Sequence, residues 1–91
     1  MEIDWDEEKD SVNRAKHGVG LGDAARLEWD AGKRRRDTRF DYGEVRYGVL
    51  VTLDGRLHVC IHTIRNGVYR IISLRKANTR EERRYEQTDP E

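Results

Sequence analysis

Ninety-one residues with a single cysteine make one expected domain over residues 1–91, exclude an internal disulfide and suit a reducing cytoplasm. No run approaches the eighteen or more apolar residues of a membrane span or forms the apolar core of a signal peptide. The net charge of zero hides a division, because residues 1–10 hold six acids and one base, whereas residues 33–84 hold fourteen bases and six acids.

In chain order, Glu2 to Trp5 suits a short first strand. A helix is expected from about Asp6 to His17, with acids in its first turn, Lys16 and His17 in its last, and Gly18 as the left-handed stop. Its apolar stripe is weak, consisting of Val12 and Ala15 with Val19 just beyond. Leu21 to Trp29 reads as a second short helix that turns Leu21, Ala24, Ala25 and Leu27 inward. Lys33–Arg39 suits a polar edge strand, its charges discouraging edge-to-edge pairing.

Three strand-like runs follow: Glu44–Leu53, Arg56–Arg65 and Val68–Lys76. Asp54-Gly55 and Asn66-Gly67 join them, and both dipeptides accept the positive φ angles of two-residue hairpin turns. An antiparallel meander over residues 44–76 is therefore expected. Thr79-Arg-Glu-Glu82 has the form of a capping box and opens a short last helix to about Gln87, with Tyr85 as its only large anchor. Residues 88–91 read as a frayed tail. The expected fold class is α+β, with element order β-α-α-β-β-β-β-α and the helices packed on one face of the sheet.

Charged residues reach 40% against 35% hydrophobic, so the core is thin. Fourteen of the eighteen bases are arginine, the side chain that reads phosphate bidentately and stacks on bases, and this points to nucleic acid. Arg75, Lys76, Arg80, Arg83 and Arg84 cluster where a strand meets a helix start, a place suited to phosphate. On the last strand Arg75 and Lys76 alternate, so only one of them points into a given pocket. His17, beside Lys16 at a helix C-terminus, should have a raised pKa and can act as a general acid or bind phosphate. Glu44 is either a general base or a structural partner of Arg46 or Arg75. His58, Cys60 and His62 alternate on one strand, but His58 and His62 begin roughly 13 Å apart, too far for one zinc ion to take all three. Cys60 reads as core. No Walker loop, Gly-x-Ser-x-Gly, Cys-x-x-Cys or dinucleotide fingerprint is present, so no cofactor or metal is expected.

Taken in order, these motifs resemble the BrnT family of bacterial toxins. The likeness runs through Trp5-Asp6 with Lys9, Asn13-x-x-Lys16-His17-Gly18-Val19, and Asp37-x-Arg39-x-Asp41-Tyr42-Gly43-Glu44-x-Arg46. It continues in Asp54-Gly55-Arg56-Leu57, Arg70-Ile71-Ile72-Ser73-x-Arg75-Lys76-Ala77 and Glu82-Arg83-Arg84-Tyr85, spanning about residues 3–87. The chain departs from the pattern at Leu21, where phenylalanine is usual, and over Lys33–Arg36, where the run is usually more apolar.

The resemblance implies a RelE-like fold, a ribonuclease toxin of a type II toxin–antitoxin pair, and neutralisation by a BrnA-like antitoxin. That antitoxin would carry the DNA-binding domain, so DNA would be met only through the complex. For metal-independent cleavage through attack by the ribose 2′-OH, the expected catalytic groups are His17, Arg75, Lys76, Glu44 and Tyr85. Lys16, Arg46, Arg65, Arg80 and Arg83 are expected to hold RNA. The alternative is a non-catalytic RNA-binding or protein-interaction module, including an inactivated toxin. A DNA-binding domain is disfavoured, because no helix joins basic reading positions to a firm apolar anchor.

Overall fold

Glu2–Trp5 forms β1, which lies parallel to the last strand of the sheet, with Ile3 opposite Tyr69 and Trp5 opposite Ile71. A computed structural model describes residues 1–87 and shows β2 at Lys33–Arg36, β3 at Tyr47–Leu53, β4 at Arg56–Arg65 and β5 at Val68–Lys76. The order across the sheet is β1-β5-β4-β3-β2, antiparallel everywhere except at the β1–β5 pair. The expected meander is thus embedded in a mixed sheet and begins at Tyr47 rather than Glu44. Both hairpins turn as their dipeptides require, with φ of 49° and 81° at Asp54 and Gly55, and 51° and 80° at Asn66 and Gly67. The expected tail at 88–91 lies outside the described residues.

The parallel pairing follows from what comes next in the chain. Asp6 caps α1 (Glu7–His17) by accepting from the amides of Glu8 and Lys9, at 2.8 and 3.3 Å. Gly18, at φ 75°, closes the helix with its amide on Arg14 O. The anticipated apolar stripe is not what docks α1, since Val12 is 63% exposed and Ala15 also faces solvent. Asp10 and Asn13 are buried instead. Asp10 accepts from the Leu21 amide at 2.7 Å, a bond that, with Arg14, holds its carboxyl below the usual range.

Asn13 gives its amide to Val19 O and Leu74 O, and accepts from Leu74 N at 3.1 Å. Beyond Ile71, where β1 stops, this side chain pairs the free edge of β5 in place of a strand. A parallel β1 delivers the chain to that end of β5. Asn13→Ala is expected to cost about 2 kcal/mol in urea unfolding: three bonds near 1 kcal/mol each disappear, partly offset by water reaching the edge.

The second N-terminal helix is replaced by two 3-10 segments, Leu21–Arg26 and Trp29–Ala31. The cause is visible in the spacing. Leu21, Ala24 and Leu27 recur every three residues, the period of a 3-10 turn, and all three are buried while Ala25 is exposed. They pack on Val49, Val51, Leu53, Cys60, Ile71 and Leu74 to form the core. Burial pushes the Cys60 thiol up to about 12, so it serves as an apolar filler.

The last helix, α2 (Thr79–Gln87), is capped one residue earlier than expected. Asn78 and Glu81 exchange bonds at 2.8 and 2.9 Å, in place of Thr79 and Glu82. It also lies on the other face of the sheet. Lys33, Leu50, Val59 and Arg75 succeed one another across the register, and both ends of that row hold α2: Lys33 donates to Tyr85 O at 2.7 Å, and Arg75 binds Glu81. Helices therefore cover both faces, because Leu50, Val59 and Ile61 make the second face apolar enough to need a cover.

Candidate functional site

The second face carries α2 over the ends of β5 and β2, and the loop between β2 and β3 over the opposite half. Asp37 N donates to Arg46 O at 2.8 Å, extending the β2–β3 ladder by one rung before the loop departs. Thr63, on the same face of β4, anchors the return by donating to Val45 O at 2.6 Å. Within the loop, the Asp37 side chain accepts from Arg39 Nε, Arg39 NH2 and the Tyr42 hydroxyl, bonds that hold its carboxyl far below the usual range. The Arg46 guanidinium lies 4.1 Å from the centre of the Tyr42 ring.

Glu44 stands between two arginines, accepting from Arg65 at 2.6 Å and Arg46 at 3.3 Å. The Arg65 bond, followed by that from Arg46, keeps its pKa down. Of the partners anticipated for it, Arg46 is correct and Arg75 is not. A carboxylate so held is a weak proton acceptor and a firm organiser of the loop.

Arg75 is the centre of the other half. Its two terminal nitrogens meet the two Glu81 oxygens at 2.9 Å each, a bidentate pair one-third exposed on the arginine side. Two further cations or titratable groups sit close enough to act on it or feel it: Arg39 repels the Arg75 guanidinium, and Arg75 disfavours the charged form of His17. His17 reaches this place because Asn13 fixes α1 along the β5 edge, one turn earlier in the helix. Its pKa is lowered, first by burial, then by Lys16 and Arg75. This reverses the expectation from the helix dipole. Desolvation and two nearby positive charges outweigh the partial charge of a helix end.

The remaining expected residues are dispersed. Lys76 is exposed and points to the face opposite Arg75, as strand alternation requires. Tyr85 donates its hydroxyl to Ala31 O at 3.2 Å and receives the Lys33 ammonium 4.4 Å above its ring, near the β2 edge. That edge is three strands, or about 14 Å, from β5, so Tyr85 and His17 stand on opposite sides of the sheet. Arg80 and Arg83 line the exposed side of α2, Lys16 is exposed beside His17, and Arg46 and Arg65 are tied to Glu44.

Sequence reasoning missed Glu81, Arg39 and Asp37. A signal for Glu81 existed: Asn78-x-x-Glu81 is as good a capping box as Thr79-x-x-Glu82, and it places the carboxylate back over β5. Arg39 carried no periodic signal, since its position depends on how the loop folds over the sheet.

Among the described residues, no group of three His, Cys, Asp or Glu side chains is placed to hold a metal ion. No helix among them is long and apolar enough to cross a membrane. No curated protein matches the chain. A family model, that of the ribonuclease toxin BrnT of type II toxin–antitoxin systems, matches residues 5–81. That span takes in α1 with the Asn13 clasp and His17, the arginine loop, the whole meander and Arg75 with Glu81, so the chain belongs to the BrnT family of type II ribonuclease toxins.

Proposed function

We infer that this toxin, acting as a single domain in the cytoplasm, cleaves RNA without a metal ion. The 2′ oxygen of a ribose attacks the adjacent phosphorus and the bond to the 5′ oxygen breaks. The 2′-OH proton passes to a base, the departing 5′ oxygen gains a proton, and the products are a 2′,3′-cyclic phosphate and a 5′-OH. The observation that carries this reading is the closeness of His17, at the end of α1 beside the β5 edge, to Arg75 on the arginine-rich second face. With its pKa lowered, His17 is mostly the neutral imidazole at pH 7 and is ready to take the 2′-OH proton. Arg75, with Arg39 nearby, supplies positive charge to the pentacoordinate phosphate. Lys16, Arg80 and Arg83 fit contacts to flanking phosphates, while Glu44 and Tyr85 fit positioning more than proton transfer. The resemblance in sequence supports a BrnA-like antitoxin as the protein partner, with DNA contacted by that antitoxin.

Induced expression in bacteria tests the reading, with wild type beside a His17→Ala/Arg75→Ala double variant. Growth arrest and RNA ending in 2′,3′-cyclic phosphate are expected for the wild type alone. Equal arrest by both would remove these two residues from the mechanism, and loss of cleavage in EDTA would remove metal independence. In vitro, the wild-type rate should stay level near pH 7 and fall only below about 6.5, the ordinary histidine value, because the folded pKa is lowered. His17→Ala should be slower and lack that acidic limb.

A second reading is favoured by the saturation of Arg75 by Glu81, and of Arg46 and Arg65 by Glu44. A non-catalytic RNA-binding module would retain RNA while leaving it intact in the same expression assay.

A further inference from the structure

Phe40 is 70% exposed, yet it sits on a loop held in place from several sides. The Asp37 side chain, only 5% exposed, binds both the Arg39 guanidinium and the Tyr42 hydroxyl. Asp41 accepts from the Gly43 amide at 3.0 Å, and Thr63 holds Val45. The Phe40 ring meets Tyr42 edge-on, with ring centres 5.9 Å apart at 73°, and the Arg46 guanidinium stacks on Tyr42. Tyr42 is thus braced by Arg46 and by the Phe40 edge contact, while most of Phe40 remains open to solvent. Fixing the ring in advance lowers the entropic cost of binding on its open surface.

The loop borders a cleft of about 340 Å3, at the lower end of the size of small-ligand sites (about 300–1,000 Å3), with Arg36, Arg39 and Arg46 among its walls. Its acids have bonds within the protein: Asp37 to Arg39 and Tyr42, Asp41 to the Gly43 amide, Glu44 to Arg46 and Arg65. Six bases face three acids over residues 33–46. A flat aromatic ring amid guanidinium groups matches a ligand that is both aromatic and anionic, which is what an unpaired nucleotide presents.

We propose that this loop is a base-stacking subsite of the toxin: Phe40 takes one unpaired nucleobase of the RNA on its exposed surface, while Arg36 and Arg39 hold the adjoining phosphates. The inference rests on the ribonuclease reading and adds to it a position at which the RNA is selected. Arg39 links the two halves of the face, because it contributes to the loop and also acts on Arg75.

The test uses end-labelled single-stranded RNA decamers with 2′-O-methyl groups, which cannot undergo 2′-OH attack, and fluorescence anisotropy with the full chain. Phe40→Ala is expected to bind roughly tenfold more weakly than wild type, Phe40→Leu to be as weak as alanine, and Phe40→Trp to bind at least as tightly as wild type. The residue is exposed, so these variants keep the fold, and circular dichroism verifies it. Wild-type binding by Phe40→Ala, alongside weakened binding by Arg75→Ala, overturns the subsite and leaves the ribonuclease reading standing. Undiminished binding by Phe40→Leu overturns stacking in favour of plain apolar contact, as a protein partner would use. Failure of the wild type itself to bind RNA counts against the ribonuclease reading and the subsite together.

Discussion

Arg75→Ala is expected to lower RNA cleavage by about 10²-fold, the scale seen when one preorganised charge donor is lost from a transition state. Arg75 is the cation near both His17 and Arg39, so its removal takes positive charge from the proposed phosphate site without touching the core. The fold should survive, since the guanidinium is bound by Glu81 and the Lys76 carbonyl rather than by buried strands. Single-turnover cleavage of a labelled RNA measures the effect, and an undiminished rate in the folded variant takes Arg75 out of the mechanism.

The same experiment on Glu81→Gln separates two roles for its carboxylate. Both Arg75 nitrogens are engaged by Glu81, so an incoming phosphate must compete with an internal anion for the same fork. Removing that charge should raise cleavage several-fold at limiting RNA, and the Gln side chain can still accept from the Asn78 amide. A fall instead would mean that Glu81 aims Arg75, and that the aim is worth more than the competition.

The second large effect concerns stability against pH. His62 is fully buried, stacked between Tyr47 and Tyr69 at 5.7 and 5.4 Å, with the Trp29 ring edge-on at 5.1 Å. Its Nδ1 lies 3.4 Å from Cys60 O, and its Nε2 has no hydrogen-bond partner among the described residues. Burial, with a smaller contribution from Arg34, lowers its pKa from 6.5 to about 4. Above pH 6.5 the ring is neutral both folded and unfolded and adds no pH dependence. Between 6.5 and about 4 only the unfolded chain takes the proton, so stability falls as pH falls, by roughly 3 kcal/mol across the window.

The carboxylates of Asp10, Asp37, Glu44 and Glu81 are held below their ordinary values. Their stabilisation is present above the unfolded carboxylate pKa and is lost at lower pH, so most of the window from 6.5 to 4 belongs to histidine. Urea unfolding of His62→Phe and wild type at pH 7 and pH 4 tests this. The gap between the two proteins should shift by about 3 kcal/mol in favour of Phe at the lower pH. A constant gap would show that His62 does not titrate in this way.

Hairpin turns, strand runs and the Gly18 stop of α1 were legible in the sequence, because each depends on residues within a few positions. Asp54-Gly55 and Asn66-Gly67 need only their own φ preferences, and Gly18 needs only the helix before it. The basic character of residues 33–84 and the nomination of His17 and Arg75 were also local. The errors arose where a distant group decides. Val12 and Ala15 have the spacing of a buried stripe, but the Leu74 backbone selects Asn13, which lies 61 residues away in sequence. The period-three spacing of Leu21, Ala24 and Leu27 suits one face of an α-helix as well as a 3-10 turn, and packing on the sheet decides for the latter.

By itself, the sequence determined the α+β class, the three-stranded meander and the concentration of arginine in residues 33–84. Only the tertiary structure decided that β1 runs parallel to β5, that α2 crosses the second face, and that Arg75 is held by Glu81 with His17 and Arg39 nearby. The physical reason lies in range. Turn and cap preferences act over a few bonds and are written in neighbouring residues. The charge around a guanidinium and the desolvation of an imidazole depend on which remote segments fold against them, so His17 has its pKa lowered where its own helix end alone would raise it.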